Sequence, residues 1–258
     1  MGALQVSVVD HVATVVLDRP PVNSLDRATE IEMKSLFDSF NDDFDIRAVV
    51  LTGAGNRAFS AGTDLRAPGV PDEHLTPRRV LDDRSTVREM FWSIRECAVP
   101  VIGAVNGPAI GAGLALTQAC DVLFASENAR FGLTEINVGL LGGYAHLAQM
   151  VGHRKAREMY YSGELASAAE LLAAGAVRAI VPFDELMTTA TAFAQNIASK
   201  SPIAVRLAKD AMNRVDSLPL KDAYRIEQEY TYRLRHFEDS MEARQAYLDK
   251  RDAEWKWR

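Results

Sequence analysis

The sequence lacks the features that most directly mark disulfide-rich, zinc-binding and dinucleotide-binding proteins. Its two cysteines, Cys97 and Cys120, are too few for a disulfide framework, which favours a reducing compartment. The five histidines are scattered, and neither Cys-x-x-Cys nor His-Glu-x-x-His occurs, so we expect no metal site. Gly111 and Gly113 are not followed by the third glycine of a dinucleotide-binding loop, so a nicotinamide cofactor has no support.

Basic charge is also scarce. The chain has 29 lysine and arginine residues against 35 acidic ones, a net charge of −6. Proteins that coat nucleic acid need a basic surface, so we expect no nucleic-acid partner. The first ten residues have no basic segment followed by an apolar stretch, so we expect no signal peptide and a cytoplasmic location.

Charge is absent altogether between Glu96 and Asp121, a run of 24 residues. A run of that length could span a membrane as a helix. However, it contains two prolines and four glycines, which would interrupt a helix repeatedly. The run therefore predicts a buried strand, a glycine-rich turn and a buried helix, and we expect no membrane association.

Strand and helix patterns alternate along the first two thirds of the chain. The pattern predicts a hairpin over 6–17, buried strands at 46–52, 101–105, 122–125 and 177–181, and helices over about 26–44, around 87–94, over 111–119 and after 143. Residues 67–77 contain three prolines and predict a mobile loop. After Phe183 the pattern is helical, with breaks at Pro202 and Pro219. We therefore expect an α/β core over residues 1–197 and a helical region over 198–258.

The C-terminal tail is densely charged yet rich in large apolar side chains. Residues 221–258 carry nine basic and nine acidic residues. They also include Tyr224, Tyr230, Tyr232, Leu234, Phe237, Tyr247, Trp255 and Trp257. Charge alone indicates a solvated face, whereas aromatic enrichment is typical of subunit interfaces, so both interpretations stay open.

Two segments could offer backbone N–H groups to a ligand. Residues 59–64 and 106–113 each follow a predicted strand and contain small residues, which let a ligand approach the main chain. The second segment also enters a helix, whose N-terminus carries free N–H donors. Two such donors from two loops can form an oxyanion hole, although each segment alone reads equally as a tight turn.

Together with further segments, these loops resemble the crotonase superfamily of enoyl-CoA hydratases and isomerases. The similarity lies in residues 59–65, 101–113, 120–121 and 131–139, with 19–25 and 249–251 near the ends, and covers about residues 5–255. It implies a spiral of repeated ββα units with a C-terminal helical trimerisation region. It also implies a homotrimer or hexamer, an acyl-CoA substrate of which coenzyme A is a part, and no permanently bound cofactor.

The resemblance also implies residue roles. The backbone N–H groups of Ala61 and Gly111 would hold the thioester oxygen, and Glu135 would transfer a proton at the adjacent carbon, although a plain surface carboxylate is the alternative for Glu135. Coenzyme A would contact Val22, Ser24, Gly62, Thr63, Asp64 and Leu65, together with Tyr247 and Lys250 of a neighbouring subunit. The acyl group would lie against Leu114, Leu140 and parts of the segment 66–95.

The sequence departs from the two-glutamate hydratases at two places. Where those enzymes carry a second glutamate, this chain has Ala115, which cannot activate water. This favours double-bond isomerisation or ring-opening hydrolysis over simple hydration. Residues 140–147 and 224–228 are similar to a subgroup that includes hydrolases of β-keto rings. There, His146 or Tyr144 could polarise a second oxygen, whereas His146 could equally be a core or helix N-terminal histidine.

Three hypotheses follow from these residues. The first is an acyl-CoA enzyme that works through a thioester enolate with one glutamate. The second is an acyl-CoA-binding family member with little or no catalysis, as the missing carboxylate at Ala115 allows. The third, RNA binding, fits poorly with the net charge of −6.

Overall fold

A computed structural model describes residues 2–67, 76–77, 81–82 and 85–258 of the chain. Most of the proline-rich loop predicted at 67–77 lies outside the described residues. The strands are β1 (Leu4–Val9), β2 (Val12–Leu17), β3 (Ala48–Gly53), β4 (Val101–Val105), β5 (Ala109–Ile110), β6 (Val122–Ser126), β7 (Arg130–Gly132), β8 (Ala166–Ser167) and β9 (Ala179–Val181). Strand and helix alternate through β9, as the sequence pattern predicts.

The helices flank these strands and then continue alone to the C-terminus. They are α1 (Arg27–Ser39), α2 (Ser85–Arg95), α3 (Ala112–Ala119), α4 (Tyr144–Ser162), α5 (Ala168–Ala173), α6 (Phe183–Ala198), α7 (Pro202–Val215), α8 (Leu220–Leu234) and α9 (Glu238–Asp249), with a 3₁₀ helix at Glu135–Val138. Pro202 is the first residue of α7, where its missing N–H costs nothing. The first helix ends at Ser39, earlier than the predicted Phe44.

The strands form two sheets. The larger sheet has the order β1-β2-β3-β4-β6-β9, and only the β1–β2 pair is antiparallel. The smaller sheet has the order β5-β7-β8. Twice, a strand of the larger sheet is followed by a strand of the smaller sheet and then a helical segment: β4-β5-α3, and β6-β7 before the 3₁₀ helix and α4. The predicted α/β spiral of ββα units is therefore confirmed.

The central parallel strands β3 and β4 of the larger sheet are buried on both faces, whereas the antiparallel edge strand β1 is largely exposed. Alternate residues of β3 point to opposite sides, so Val49 and Leu51 join the main core while Ala48 and Val50 face a second core beneath α6. The charge-free run predicted as strand, turn and helix becomes β4, β5 and α3. None of the described helices is long and apolar enough to cross a membrane.

Candidate active site

A cavity of about 370 Å³ opens where the ends of several ββα units meet. Its wall combines loops that are far apart in the sequence. The lining residues are Ala61, Thr63, Leu65, Val87, Phe91, Ile110, Gly111, Ala112, Ala115, Thr134, Glu135, Val138, Leu140, Leu141, Gly142, Gly143 and His146. Several apolar side chains at the rim are exposed, including Leu65 (68%) and Leu141 (76%), so the mouth can accept apolar parts of a ligand.

Backbone pairing brings the two small-residue loops side by side. Ser60 forms a parallel bridge with Ala109, and the Ile110 N–H donates to the Ser60 carbonyl at 2.9 Å. Gly62 packs so closely that a Cβ there would lie 2.6 Å from the Ile110 oxygen and 3.0 Å from the Ala112 nitrogen. Glycine at position 62 is therefore required by the approach of the two loops.

The two N–H groups expected to form an oxyanion hole are already used within the fold. The Ala61 N–H donates to the Val22 carbonyl at 3.0 Å, and the Gly111 N–H donates to the Gly132 carbonyl at 2.9 Å. A backbone donor that holds a buried strand or turn in place is not free for a ligand. The structure therefore corrects the assignment of these two residues as oxyanion donors, although both line the cavity.

The free donors lie one or two residues further along each loop. The Leu25 N–H donates to the Gly62 oxygen and the Asp64 N–H donates to the Leu25 oxygen, each at 2.8 Å, which turns the Thr63 N–H away from this bridge. Ala112 is the first residue of α3, whose N–H has no acceptor within its own helix. Among the described residues neither N–H finds a partner, and both residues line the cavity.

Glu135 begins the 3₁₀ helix that follows β7, and its carboxylate lies above Gly111. A Cβ on Gly111 would stand 2.6 Å from Glu135 Oε1. The second oxygen, Oε2, is buried without a hydrogen-bond partner among the described residues. Burial raises the pKa of the Glu135 carboxyl, because the charged form loses water. A carboxyl group in this state can hold or release a proton inside the cavity.

Helix α3 contributes small side chains to the cavity wall. Ala115 is 2% exposed and lines the cavity, so the position carries no carboxylate, as the sequence indicates. Leu114, which we expected to contact the acyl group, is fully buried in the main core instead. Successive residues of a helix point about 100° apart, so Ala115 and Leu114 cannot face the same side. Leu140 lines the cavity, and its contact with an acyl group stays a prediction.

The loop expected to bind coenzyme A is fixed by one arginine. Arg19 donates to Ser24 Oγ at 2.7 Å, to Asp26 Oδ2 at 2.9 Å and to Asp64 Oδ2 at 2.8 Å. It thus ties the segment that contains Val22 and Ser24 to the loop 62–65. The structure brings these predicted binding residues together beside the cavity, whereas the role of Arg19 was not predicted from the sequence, in which it is only part of the similar segment 19–25.

His146 and Tyr144, both near the start of α4, have different surroundings. His146 lines the cavity, and its Nδ1 lies 2.7 Å from Gln118 Oε1. Tyr144 does not line the cavity, and its hydroxyl lies 3.3 Å from His153 Nδ1. Of the two side chains considered for a second oxygen, the structure therefore places only His146 at the cavity.

Tyr247 and Lys250 do not line this cavity within one chain. Tyr247 is 83% exposed, and Lys250 ends α9 in a left-handed conformation. The last residues fold back on their own chain, because the Trp257 ring packs on Phe44 at 4.9 Å and beneath the Arg206 guanidinium at 5.1 Å. At least this part of the aromatic tail serves its own subunit.

No group of three or more histidine, cysteine, aspartate or glutamate side chains that could hold a metal ion occurs in the described part of the chain. At the cavity rim, the Tyr160 hydroxyl accepts a hydrogen bond from the Gly142 N–H at 3.1 Å, which helps to fix the loop that contains Gly142. The polar groups available to a ligand in the cavity are therefore the carboxyl of Glu135, the imidazole of His146, the hydroxyls of Thr63 and Thr134, and backbone N–H donors.

Comparison with known proteins agrees with this geometry. The family model described as "Enoyl-CoA hydratase/isomerase" matches residues 8–258. A Rhodococcus jostii (7aS)-7a-methyl-1,5-dioxo-2,3,5,6,7,7a-hexahydro-1H-indene-carboxyl-CoA hydrolase is 35% identical over 91% of this chain and 89% of its own. A Salmonella paratyphi B carnitinyl-CoA dehydratase is 34% identical, over 95% and 94%.

Solved structures give the same result. A crystal structure of an enoyl-CoA hydratase from Bacillus anthracis superimposes with a TM-score of 0.90 at 33% identity, covering 99% of this chain and all of the other. The match extends over both sheets and the C-terminal helices, and the family model covers nearly the whole sequence. The chain therefore belongs to the enoyl-CoA hydratase/isomerase (crotonase) family.

Proposed function

We propose that this protein is an acyl-CoA enzyme that works through a thioester enolate, with Glu135 as its proton-transfer group. One observation carries the proposal: the half-buried Glu135 carboxyl shares a cavity with two backbone N–H groups that have no partner among the described residues. Such N–H donors stabilise an oxygen as it gains negative charge. Membership of a family whose substrates are coenzyme A esters supports the acyl-CoA assignment.

In this mechanism the thioester oxygen accepts hydrogen bonds from the N–H groups of Thr63 and Ala112. Glu135 takes a proton from the carbon next to the thioester, or gives one back to it. Each backbone donor contributes about 3 kcal/mol to the stability of the enolate-like transition state. Because burial raises the pKa of Glu135, a larger fraction of this carboxyl group carries the proton at a given pH than of an ordinary carboxyl group, so a proton is at hand for return to carbon.

Ala115 favours reactions that need one carboxylate. Double-bond isomerisation moves a proton between two carbons with one base, and ring-opening hydrolysis ends with protonation of a thioester enolate. Simple hydration by paired carboxylates lacks its second member here. The similarity to a ring-type CoA hydrolase supports this choice of reactions, whereas the carnitinyl-CoA dehydratase is named for the removal of water, the reverse of hydration.

The test is Glu135→Gln assayed with three probes: 3-hexenoyl-CoA for isomerisation, 2-oxocyclohexane-carboxyl-CoA for ring opening and crotonyl-CoA for hydration. We expect wild-type turnover of one of the first two and a loss on the order of 10²-fold or more in the variant. Fast hydration of crotonyl-CoA would contradict the role given to Ala115. Tight acyl-CoA binding without turnover of any probe would favour a binding protein instead.

We further propose a homotrimer, or a hexamer of two trimers, in which Tyr247 and Lys250 of one subunit reach the coenzyme A nucleotide bound by the next. The exposure of Tyr247 in a single chain is compatible with such a contact, and a lysine suits a phosphate group. Sedimentation with and without coenzyme A tests the assembly. A cytoplasmic location and the absence of a nucleic-acid partner stay predictions of the sequence.

A further inference from the structure

A second cavity, of about 570 Å³, adjoins the first at His146. Glu135 lines only the first cavity, whereas the His146 ring belongs to the walls of both. The second cavity is lined mainly by polar and charged residues, which include Arg95, Gln118 and Gln149. His146 therefore lies where the cavity that contains Glu135 meets the second cavity.

A chain of hydrogen bonds fixes which nitrogen of His146 carries the proton. Gln118 Nε2 donates to Gln149 Oε1 at 2.6 Å, so the Gln118 carbonyl oxygen faces the other way, towards His146 Nδ1 at 2.7 Å. A carbonyl oxygen can only accept, so Nδ1 must donate. In the neutral ring this leaves Nε2 with a free lone pair.

The surroundings keep the ring neutral and oriented. Phe91 and Trp92 pack against the imidazole with centroids at 5.2 and 6.5 Å. Burial and the nearby positive charge of Arg95 lower the pKa of His146. The charged groups around it are Arg95, Glu96 and Asp216 across the second cavity and Glu135 across the first, with Arg95 and Asp216 paired at 2.6 Å.

We propose that Gln149 and Gln118 are positioning residues that present His146 Nε2 as a base, and that this base activates water to open the ring of a β-keto cycloalkane-carboxyl-CoA. The inference rests on the proposed function, because it uses Glu135 and the two backbone donors for the enolate. It adds the second proton-transfer group that Ala115 does not supply.

The step balances without any oxidant or further reactant. Nε2 takes one proton from water, the water oxygen bonds to the ring ketone carbon, and the π pair of the ketone moves onto the ketone oxygen. When this oxygen re-forms its double bond, the bond between that carbon and the carbon next to the thioester breaks, and its electron pair moves into the enolate on the thioester oxygen. The resulting enolate takes a proton on carbon from the Glu135 carboxyl group, and the former ketone becomes a carboxylic acid. Solvent then returns a proton to Glu135 and removes one from His146.

Arg95 makes ring opening fit this site better than addition of water to a double bond. Ring opening creates a new carboxylate. Arg95 places a guanidinium in the cavity that adjoins His146, and although its Nη2 already donates to Asp216 at 2.6 Å, its other N–H groups can donate to a second carboxylate. Addition of water to a double bond creates only a neutral hydroxyl group, for which a cation offers no comparable gain.

The arrangement of His146 can be tested without a substrate. In full-length protein labelled with ¹⁵N-histidine, the ring nitrogen shifts of His146, assigned with His146→Asn, should report a neutral ring with the proton on Nδ1. Gln118→Leu should move the proton towards Nε2, whereas Gln118→Glu should raise the pKa of the ring. A wild-type ring protonated on Nε2, or doubly protonated at neutral pH, would overturn the proposal.

The role of His146 in catalysis is tested with 2-oxocyclohexane-carboxyl-CoA as the substrate, and mass spectrometry detects the ring-opened product. His146→Asn should lower kcat about 10²- to 10⁴-fold with little change in KM, and Gln118→Leu roughly 10-fold or more, as expected for a wrong tautomer. Gln118→Glu should retain activity but shift the acidic limb of the pH profile upwards. The exposed His153 on the same helix gives a matched control, since His153→Asn should leave kcat unchanged.

Two outcomes separate this inference from the proposed function. If Glu135→Gln abolishes ring opening while His146→Asn leaves it intact, the base assignment is wrong and the enolate mechanism stands. If wild-type enzyme isomerises 3-hexenoyl-CoA but does not open the β-keto ring, the substrate class is likewise wrong. If Glu135→Gln leaves every probe reaction unchanged, the proposed function fails first.

Discussion

Glu135 Oε1 lies 2.6 Å from the point that a Cβ on Gly111 would occupy, so the catalytic candidate rests directly on a glycine at the entrance to α3. Gly111 also has a φ of +58°, which side-chain-bearing residues rarely adopt. One position thus serves both a backbone turn and the placement of a carboxyl group.

Gly111→Ala should therefore impair stability and activity together. The positive φ costs on the order of 1–3 kcal/mol, and the added methyl group displaces the Glu135 carboxyl. Gly175→Ala is the matched control, because Gly175 has a φ of +79° and open space around it. Urea unfolding should show losses in both variants, whereas kcat should fall only for Gly111→Ala. Normal activity of a folded Gly111→Ala enzyme would show that this contact does not matter.

Replacement of single backbone N–H groups can test whether the oxyanion donor is the N–H of Ala112 and not that of Ala61. Replacing Ala112 with lactic acid turns its N–H into an ester oxygen and should lower kcat about 10²- to 10³-fold. The same replacement at Ala61 removes an N–H that already donates to Val22. It should cost about 1 kcal/mol of stability and leave kcat nearly unchanged. The opposite pattern would restore Ala61 and Gly111 as the donors.

The raised pKa of Glu135 predicts a specific pH dependence of stability. A carboxyl whose pKa is higher in the folded than in the unfolded chain opposes folding once it ionises. The contribution of Glu135 to folding stability is most favourable at pH values below the pKa that this carboxyl has in the unfolded chain. It decreases as the pH rises through the higher pKa of the folded chain. Glu135→Gln should thus be more stable than wild type at neutral pH, by about 1 kcal/mol for an unpaired carboxyl oxygen.

Urea unfolding of both proteins over a pH series measures this difference. The gap should shrink as the solution becomes acidic, because the wild-type carboxyl then becomes neutral as well. A variant that is less stable at neutral pH would mean that the Glu135 carboxylate stabilises the fold, although its Oε2 has no hydrogen-bond partner among the described residues.

The ion pair between the buried Lys209 and the partly exposed Asp121 joins the C-terminal helices to the sheet. Lys209 is 2% exposed, and its Nζ donates to Asp121 Oδ2 at 2.7 Å and to the Val99 oxygen at 3.0 Å. Lys209→Met should destabilise the protein by about 1–3 kcal/mol, since it leaves the buried Val99 carbonyl oxygen without its donor and Asp121 without its cation. The double variant Lys209→Met with Asp121→Asn should recover part of this loss. Strict additivity in urea unfolding would show that the two groups are not coupled.

The fold was accessible from sequence because its elements are locally encoded. Buried β-branched runs, glycine-rich turns and prolines at helix starts produced the strands and helices, and the charge-free run became β4, β5 and α3. The first helix was predicted too long, because Phe40 and Phe44 place apolar side chains at helical spacing after the helix has ended at Ser39. The short strands of the small sheet were missed because two or three residues show no periodicity.

The sequence by itself determined the family motifs, the position of Glu135 and the absence of a carboxylate at Ala115, because residue types and their spacing are properties of the chain. Only the tertiary structure decided which backbone N–H groups are free, because hydrogen bonds from Ala61 and Gly111 run to Val22 and Gly132, both remote in sequence. It likewise placed Leu114 in the core and joined His146 to Gln118. Which backbone N–H groups are free, and which way a side chain points, depend on the segments packed against them. These segments are distant in sequence and meet only in the folded chain.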